Sequence, residues 1–154
     1  MTNILNIVLF EPEIPQNTGN IARLCACIGA KLYLVGKLGF ILSDKHLKRA
    51  GLDYWDKLQI EHIETLDELI KNNPDSNFYY FTTKSKNRYS DFKFKRGDFF
   101  VFGPETRGLS EEILNKNKEF CATIPMRKET RSLNLSNSVA VAAYEAIRQL
   151  NVEL

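Results

Sequence analysis

Residues 98–108 read DFFVFGPETRG. An apolar run this short and this aromatic is a strand buried on both faces, and buried strands of that kind belong to parallel sheets. It ends in Gly-Pro, so the strand stops there and a loop begins. In open α/β sheets ligands sit beyond the carboxyl ends of strands. Gly103 would let a ligand approach the backbone with no Cβ in the way. Glu105 and Arg107 would then project near it. An ordinary tight turn is the competing reading of the same residues.

The same alternation continues in both directions. Asn3–Phe10 (NILNIVLF), Lys31–Val35 (KLYLV), Leu58–Ile63, Asn77–Thr83 (NFYYFTT) and Phe120–Ile124 read as further strands. Between them fall helical patterns. Ile21, Leu24, Cys25 and Ile28 share helical spacing within Asn17–Gly29, with Gly29 a C-cap. Ser43 caps a short helix through Lys48–Ala50. TLDEL at 65–69 is a capping box that opens a helix to Asn72. Ser110–Leu114 is helical, and Ser136–Leu150 is the strongest helical pattern in the chain, capped by Ser136 or Asn137. Strand and helix in alternation predict an α/β fold: a mostly parallel sheet flanked by helices.

The chain has 154 residues, enough for one core, and no linker or repeat marks a boundary. Hydrophobic residues at 44% and charged residues at 26% exclude disorder. No apolar run approaches the ~18 residues of a membrane span, and MTNILNIVLFEPE lacks the basic start of a signal peptide. A cytoplasmic protein is expected. Three cysteines cannot form a disulfide framework, and Cys25 and Cys27 read as small buried hydrophobes. A net charge of +2 neither demands nor excludes nucleic acid.

Several chemistries are absent. There is no GxxxxGK[ST], no GxGxxG after the first strand and no GxSxG. His46 and His62 have no metal-ligand spacing with the cysteines, so no metal is expected.

Three constellations remain. In IPQNTGNIAR (14–23), Gln16, Asn20, Arg23 and Cys27 share a mostly polar helix stripe. A helix start beside that stripe could hold a phosphate or a ribose hydroxyl, and a solvated arginine is the alternative. The second constellation is FFVFGPETRG (99–108), with Glu105 and Arg107. In IPMRKETRSLNLSN (124–137), a hydroxyl- and amide-rich stretch leaves a strand and caps a helix, which suits an adenosine-like ligand. Asn137, Val141, Tyr144 and Arg148 then share one helix stripe, with core packing the alternative for Tyr144.

Lys84, Lys86, Arg88, Lys93, Lys95 and Arg96 crowd one loop, with Tyr89, Phe92 and Phe94 interleaved and Asp91 the lone acid. Lys45, Lys48 and Arg49 form a second basic group, and Arg127, Lys128 and Arg131 a third. Cations mixed with aromatics suit phosphates and unstacked bases; a solvated loop is the other reading.

Together the three stretches resemble the knotted SPOUT methyltransferases, and within them the SpoU-type RNA 2'-O-ribose methyltransferases. NTGNIARLCACIGA (17–30), FVFGPETRGL (100–109) and IPMRKETRSLNLSNSVAVAAYEA (124–146) match that family's three motifs, in order. The resemblance covers about Asn6 to Leu150. NIVLFEPEIPQNTGN (6–20) and KRAGLDYW (48–55) are similar to the minimal members that act on the wobble nucleotide of tRNA.

The resemblance implies a C-terminal deep trefoil knot, an exception to unknotted topology, in one domain (1–154) without an appended RNA-binding domain. It implies S-adenosyl-L-methionine as cofactor, with S-adenosyl-L-homocysteine as product. Phe81, Thr82, Gly103, Ile124, Met126, Ser132, Leu133 and Asn137 are the positions that would hold it. It implies methyl transfer to the ribose 2'-hydroxyl of nucleotide 34, cytidine or uridine. Arg23 would orient the nucleotide and stabilise alkoxide charge, because a guanidinium with a pKa above ~12 is a poor base. Asn17 would fix the start of its helix, and Glu105 and Ser132 would position Arg23 and the cofactor loop, with Asn134 behind them. RNA contacts would come from Arg23, Arg107, Arg131, Tyr144, Lys84, Lys86 and Arg88. The implied partners are the tRNA anticodon arm and a second copy of the chain in a homodimer, with no membrane. Two rival readings remain: a non-catalytic RNA-binding module on the same scaffold, and methylation at another anticodon-loop position. A different nucleotide-binding α/β enzyme, such as an oxidoreductase, lacks its glycine fingerprint.

Overall fold

The structure, a computed structural model, describes residues 3–42, 45 and 58–154. The expected Ser43-capped helix, His46, Lys48, Arg49 and the KRAGLDYW stretch lie outside the described residues.

The sheet follows from its sequences. Strands β1 (Asn6–Phe10), β2 (Lys31–Val35), β3 (Gln59–Ile63), β4 (Phe78–Phe81), β5 (Phe99–Phe102) and β6 (Cys121–Ala122) pair in the order β3-β2-β1-β5-β4-β6, all parallel. Central β5 is buried along its whole length, as its unbroken apolar run requires. Side chains alternate between the two faces. Ile7 and Leu9 of β1 join one core with Phe100 and Phe102 of β5. Val8, Phe99 and Val101 join the other.

Helix α1 (Pro15–Ile28) and helix α4 (Leu135–Leu150) cover the first face, where Ile21, Ala22 and Cys25 meet Ala142, Ala143 and Ala146. Ala142, Ala143 and Ala146 are fully buried within the chain. Helix α2 (Leu66–Asn72) and the short α3 (Glu111–Lys116) cover the second face. Thr65 and Ser110 cap them, each accepting a backbone N–H three residues on. Gly29 ends α1 at φ 72, a left-handed conformation that favours glycine.

The helices that follow β1 and β5 lie on opposite faces of the sheet, although these strands are neighbours. That is the switch point at which an open α/β sheet leaves a crevice beyond its strand ends.

Several expectations need correction. Apart from Lys31–Val35, the strands read as Asn3–Phe10, Leu58–Ile63, Asn77–Thr83 and Phe120–Ile124 are shorter than those runs. Leu5, although fully buried, precedes β1, and after Ala122 the chain leaves β4 to run beside residues 87–89, where Thr123 N–H donates to Asn87 O at 2.8 Å and Tyr89 N–H to Thr123 O at 2.9 Å. Cys27 is exposed rather than buried, because it falls on the polar stripe of α1 that faces away from the sheet. The aromatics of the basic loop are turned toward the core, Phe94 buried and Tyr89 and Phe92 half-buried against it. Phe94 is in the core, 4.6 Å from the Phe100 ring centroid, and Tyr79 packs edge-on against Phe92 and Phe94. Burying those rings gains more than exposing them. Gln149 of α4 secures this loop, accepting Phe94 N–H at 2.9 Å and donating to Phe92 O at 3.0 Å.

Candidate active site

Beyond the ends of β4, β5 and β6 lies a cleft of about 610 Å³, within the ordinary range for a small-molecule site of roughly 300–1,000 Å³. Residues 102–109 form it together with 123–126 and 131–135 from one later stretch of chain, closed by Phe81–Lys84 and by Ser138 from α4. Of the positions expected to hold a cofactor, Phe81, Thr82, Gly103, Ile124, Met126, Ser132 and Leu133 all line it. Asn137 does not; it stands exposed in the first turn of α4 with its N–H on Asn134 Oδ1 at 3.3 Å.

Gly103 has a different reason than the one expected. A Cβ there would meet the chain's own backbone, at 2.3 Å from Gly108 C and from Leu109 N. The loop 103–109 folds back on itself, and only glycine permits that approach. Gly108, at φ 67, completes the turn, and its N–H donates to Pro104 O at 2.8 Å.

The start of α1 is held by this loop. Ile14 occupies the N-cap position without a capping side chain, and Pro15 opens the helix. The exposed N–H groups find their acceptor in Glu105. Its carboxylate accepts Glu13 N–H at 2.8 Å and Ile14 N–H at 2.7 Å, and Asn17 Nδ2 at 3.3 Å. Negative charge is favourable at a helix N-terminus. The clamp is reciprocal, because Glu13 Oε1 accepts the Thr106 N–H at 3.0 Å and its hydroxyl at 2.7 Å. The bond from the Thr106 hydroxyl, then that from its backbone N–H, holds the Glu13 carboxyl below its ordinary pKa. Glu11, at φ 49, reaches Arg107 with an ion pair of 3.2 Å.

Asn17 is buried and joins the third stretch as well, accepting from Asn134 Nδ2 at 3.2 Å. Asn134, not Ser136 or Asn137, caps α4; its Oδ1 accepts Ser136 N–H at 2.9 Å and the Ser136 hydroxyl. One hydrogen-bonded line therefore runs Glu105–Asn17–Asn134 through all three constellations.

The cations divide. Lys84, Arg107 and Arg131 line the cleft. Lys86 and Arg88 are exposed on the loop beside it. Arg23 is exposed on the α1 stripe with Gln16, Asn20 and Cys27, and does not line the cleft of its own chain. Tyr144 is 49% exposed on α4, so it is not a core residue, and Asn137, Val141 and Arg148 share its exposed stripe. Sequence reasoning missed Glu13, Thr106 and Ser138. EPEIP and ETRG read as loops, and nothing local shows that the two loops clasp. His62 faces Gly36 O at 2.9 Å. Among the described residues no helix is long and apolar enough to cross a membrane.

A parallel sheet flanked by helices, with a ligand-sized cleft beyond the ends of β4, β5 and β6, defines the class: an open α/β domain with a candidate small-molecule site at its strand ends. The chain belongs to the SpoU rRNA Methylase family, which it matches over residues 4–144. It is 50% identical over 147 residues to the tRNA (cytidine(34)-2'-O)-methyltransferase of Methylovorus glucosotrophus (strain SIP3-4), covering 95% of this chain and 96% of that one. A solved structure concerned with the 2-OH methylation of C/U34 on tRNA superposes with a TM-score of 0.92 at 42% identity, covering 97% of both chains. The SpoU methyltransferase AviRb from Streptomyces viridochromogenes, solved with AdoMet, shares the fold at a TM-score of 0.86 and 23% identity, over 98% of this chain and 62% of that one.

Proposed function

We propose that this protein is a cytoplasmic tRNA methyltransferase that methylates the ribose 2'-hydroxyl of the wobble nucleotide, cytidine or uridine 34, using S-adenosyl-L-methionine. The observation that carries the reading is the convergence of 102–109, 123–126 and 131–135 on one cleft tied to the start of α1. The relatives named for this reaction match almost the whole chain.

The cleft fits the cofactor. Phe81, Phe102, Leu109, Ile124, Met126 and Leu133 offer apolar walls, and the loop backbones with Thr82 and Ser132 offer polar groups for a ribose and a base edge. When bound, S-adenosylmethionine supplies a methyl group on a sulfonium, an electrophile that already has a good leaving group. The chain's task is alignment and care of one proton. Glu105 and Asn17 hold α1, and with it Arg23, in fixed relation to the cleft. Arg23 binds the target nucleotide and stabilises negative charge developing on its 2'-oxygen; the nucleotide's 3'-phosphate is the proton acceptor. Lys84, Lys86, Arg88, Arg107, Arg131 and Tyr144 contact the anticodon arm.

The active species is a homodimer whose sites draw on both chains. Arg23 and Tyr144 support this, being exposed outside their own chain's cleft, as do exposed Ile14 and Val141 nearby. The C-terminal segment forms a deep trefoil knot. Supporting it, the chain returns from β6 at the sheet edge to α4 packed on α1, paired to residues 87–89 on the way and to 92–94 at its end. The 154 residues act as a single domain.

The test is incubation of purified protein with unmodified tRNA and radiolabelled S-adenosylmethionine, followed by ribose-methylation mapping. Label at nucleotide 34 is expected. Verified cofactor binding with no transfer to any tRNA would leave the non-catalytic RNA-binding reading; transfer to another loop nucleotide would move the site.

A further inference from the structure

A second cavity of about 650 Å³ lies outside the cofactor cleft. It sits between the loop after β4 and helix α3, lined by Thr82, Lys84, Ser85, Lys86, Asn87, Glu111, Asn115 and Lys118, with buried Leu114 and Cys121 at its base. Thr82 and Lys84 line both cavities, so the two adjoin at the end of β4.

The chemistry of this groove is narrow. Three lysines face one glutamate, leaving an excess of positive charge. No aromatic side chain lines it, so it offers no surface for stacking a base. Its wall is already organised: Ser85 Oγ donates to Cys121 O at 2.9 Å, and Asn87 Nδ2 lies 3.3 Å from both Lys118 O and Cys121 O. Those polar groups are spent on the fold, and the ammonium groups are left to meet a ligand. Lysines are point charges that suit phosphates without selecting a base.

We propose that this groove binds the phosphodiester backbone of the substrate RNA, one or two nucleotides along the strand from the ribose in the reaction cleft. Lys86 and Lys118 are its phosphate contacts, and Lys84 stands where the strand passes from one cavity to the other. This rests on the tRNA methyltransferase reading above. It adds a subsite outside the three family motifs, with Lys118 and Asn115 as residues that the motifs do not contain. The groove would hold the strand without reading sequence, which suits a substrate recognised through loop shape.

The test compares full-length wild type, the double variant Lys86→Gln/Lys118→Gln, and Lys116→Gln. Lys116 is an exposed lysine of α3 that pairs with Glu112 and does not line the groove. Affinity for unmodified tRNA is measured from 50 to 200 mM salt, with S-adenosylmethionine affinity, melting temperature and methyl transfer measured alongside. Two lost phosphate contacts should reduce the slope of log affinity against log salt by about 1.4–1.8, which flattens the fall over that range by roughly tenfold. Cofactor affinity should stay at the wild-type value, and Lys116→Gln should keep the wild-type slope. A double variant that folds and keeps the wild-type slope overturns the subsite while wild-type methylation leaves the enzyme reading standing. An equal change in Lys116→Gln shows general surface charge and also overturns it. Loss of cofactor affinity with an unchanged tRNA slope assigns the groove to the cofactor instead. A wild type that neither binds nor methylates tRNA removes the enzyme reading and the subsite together. If the double variant does not fold, Lys118→Gln alone is read by the same slope, with a decrease of about 0.7–0.9 expected and no decrease counting against the proposal.

Discussion

Asn134 donates from Nδ2 to Asn17 Oδ1 at 3.2 Å, across 117 positions of sequence. Because Asn17 also donates to Glu105, the loop before α4, the helix α1 and the loop after β5 are joined by one part-buried chain of polar contacts. Such a network is worth most when every member is satisfied.

Replacing Asn134 by Ala removes the cap of α4 and the tie to Asn17 in one step. Loss of an Asn cap costs about 0.5–2 kcal/mol, and the unpaired Asn17 oxygen adds to it. Asn134→Asp retains an acceptor for Ser136 N–H but turns an oxygen toward Asn17 Oδ1. Urea denaturation should rank wild type above Asn134→Asp and that above Asn134→Ala. Equal stability of wild type and Asn134→Asp would show that the Asn17 contact contributes nothing.

Glu105→Gln keeps the shape of the side chain and removes its charge. The amide loses one of the two oxygens that accept Glu13 and Ile14 N–H. Bonds to a charged acceptor are worth about 1.5–3 kcal/mol each, and partial exposure here brings the expected loss to about 1–2 kcal/mol. Amide exchange should speed up in the first turn of α1 and not in α2.

Gly103→Ala puts a Cβ at 2.3 Å from two backbone atoms. The loop 103–109 cannot keep its path, and since it walls the cleft, cofactor affinity should fall at least tenfold. Calorimetric titration with S-adenosylmethionine measures this. Wild-type affinity would mean the loop relaxes at little cost.

Glu13 gives a pH dependence of defined sign. Its folded pKa is lowered from the ordinary 4.5, first by the Thr106 hydroxyl and then by the Thr106 N–H. A lowered carboxyl pKa contributes stability that is present above the unfolded value and is lost as pH falls through the folded one. Wild type should therefore lose more stability than Glu13→Gln on going from about pH 6 to about pH 3. Parallel curves would show that the Thr106 contact has no energetic consequence.

Arg23→Ala should abolish methyl transfer while cofactor affinity stays near wild type, since Arg23 does not line the cofactor cleft of its own chain. Mixing it with Gly103→Ala protein, at a cofactor concentration too low for that variant to act, tests the shared site of the proposed dimer. Recovered transfer in mixed dimers is expected if Arg23 serves its partner's cleft, and no recovery if it serves its own.

What could be read from sequence were features set by near neighbours. Lys31–Val35 was legible to the residue because its apolar run is bounded by Gly29 and Gly36, both at positive φ. The Thr65 cap and the Gly29 stop were legible because their partners lie within a turn. The cap of α4 was misplaced by two or three residues, since Asn134, Ser136 and Asn137 offer the same chemistry and only the path of the loop selects among them. Cys27 was misread because Cys25 occupies the buried stripe and two positions further the helix has turned away. The aromatics of 89–94 carried no mark of burial; Tyr79, 10 or more positions earlier, is the ring that receives Phe92 and Phe94.

By itself the chain's order of residues determined alternating strands and helices, a parallel sheet and three polar loops at strand ends, because each depends on periodicity and turn chemistry within a few positions. Tertiary structure alone decided that Glu105 caps a helix 91 positions earlier, that Glu13 returns the clasp to Thr106, and that two lysine-lined walls meet around Thr82. Those contacts require the strand order β1-β5-β4, which sets distant loops side by side. The register of a sheet is a sum over many weak pairings, and no local stretch contains that sum.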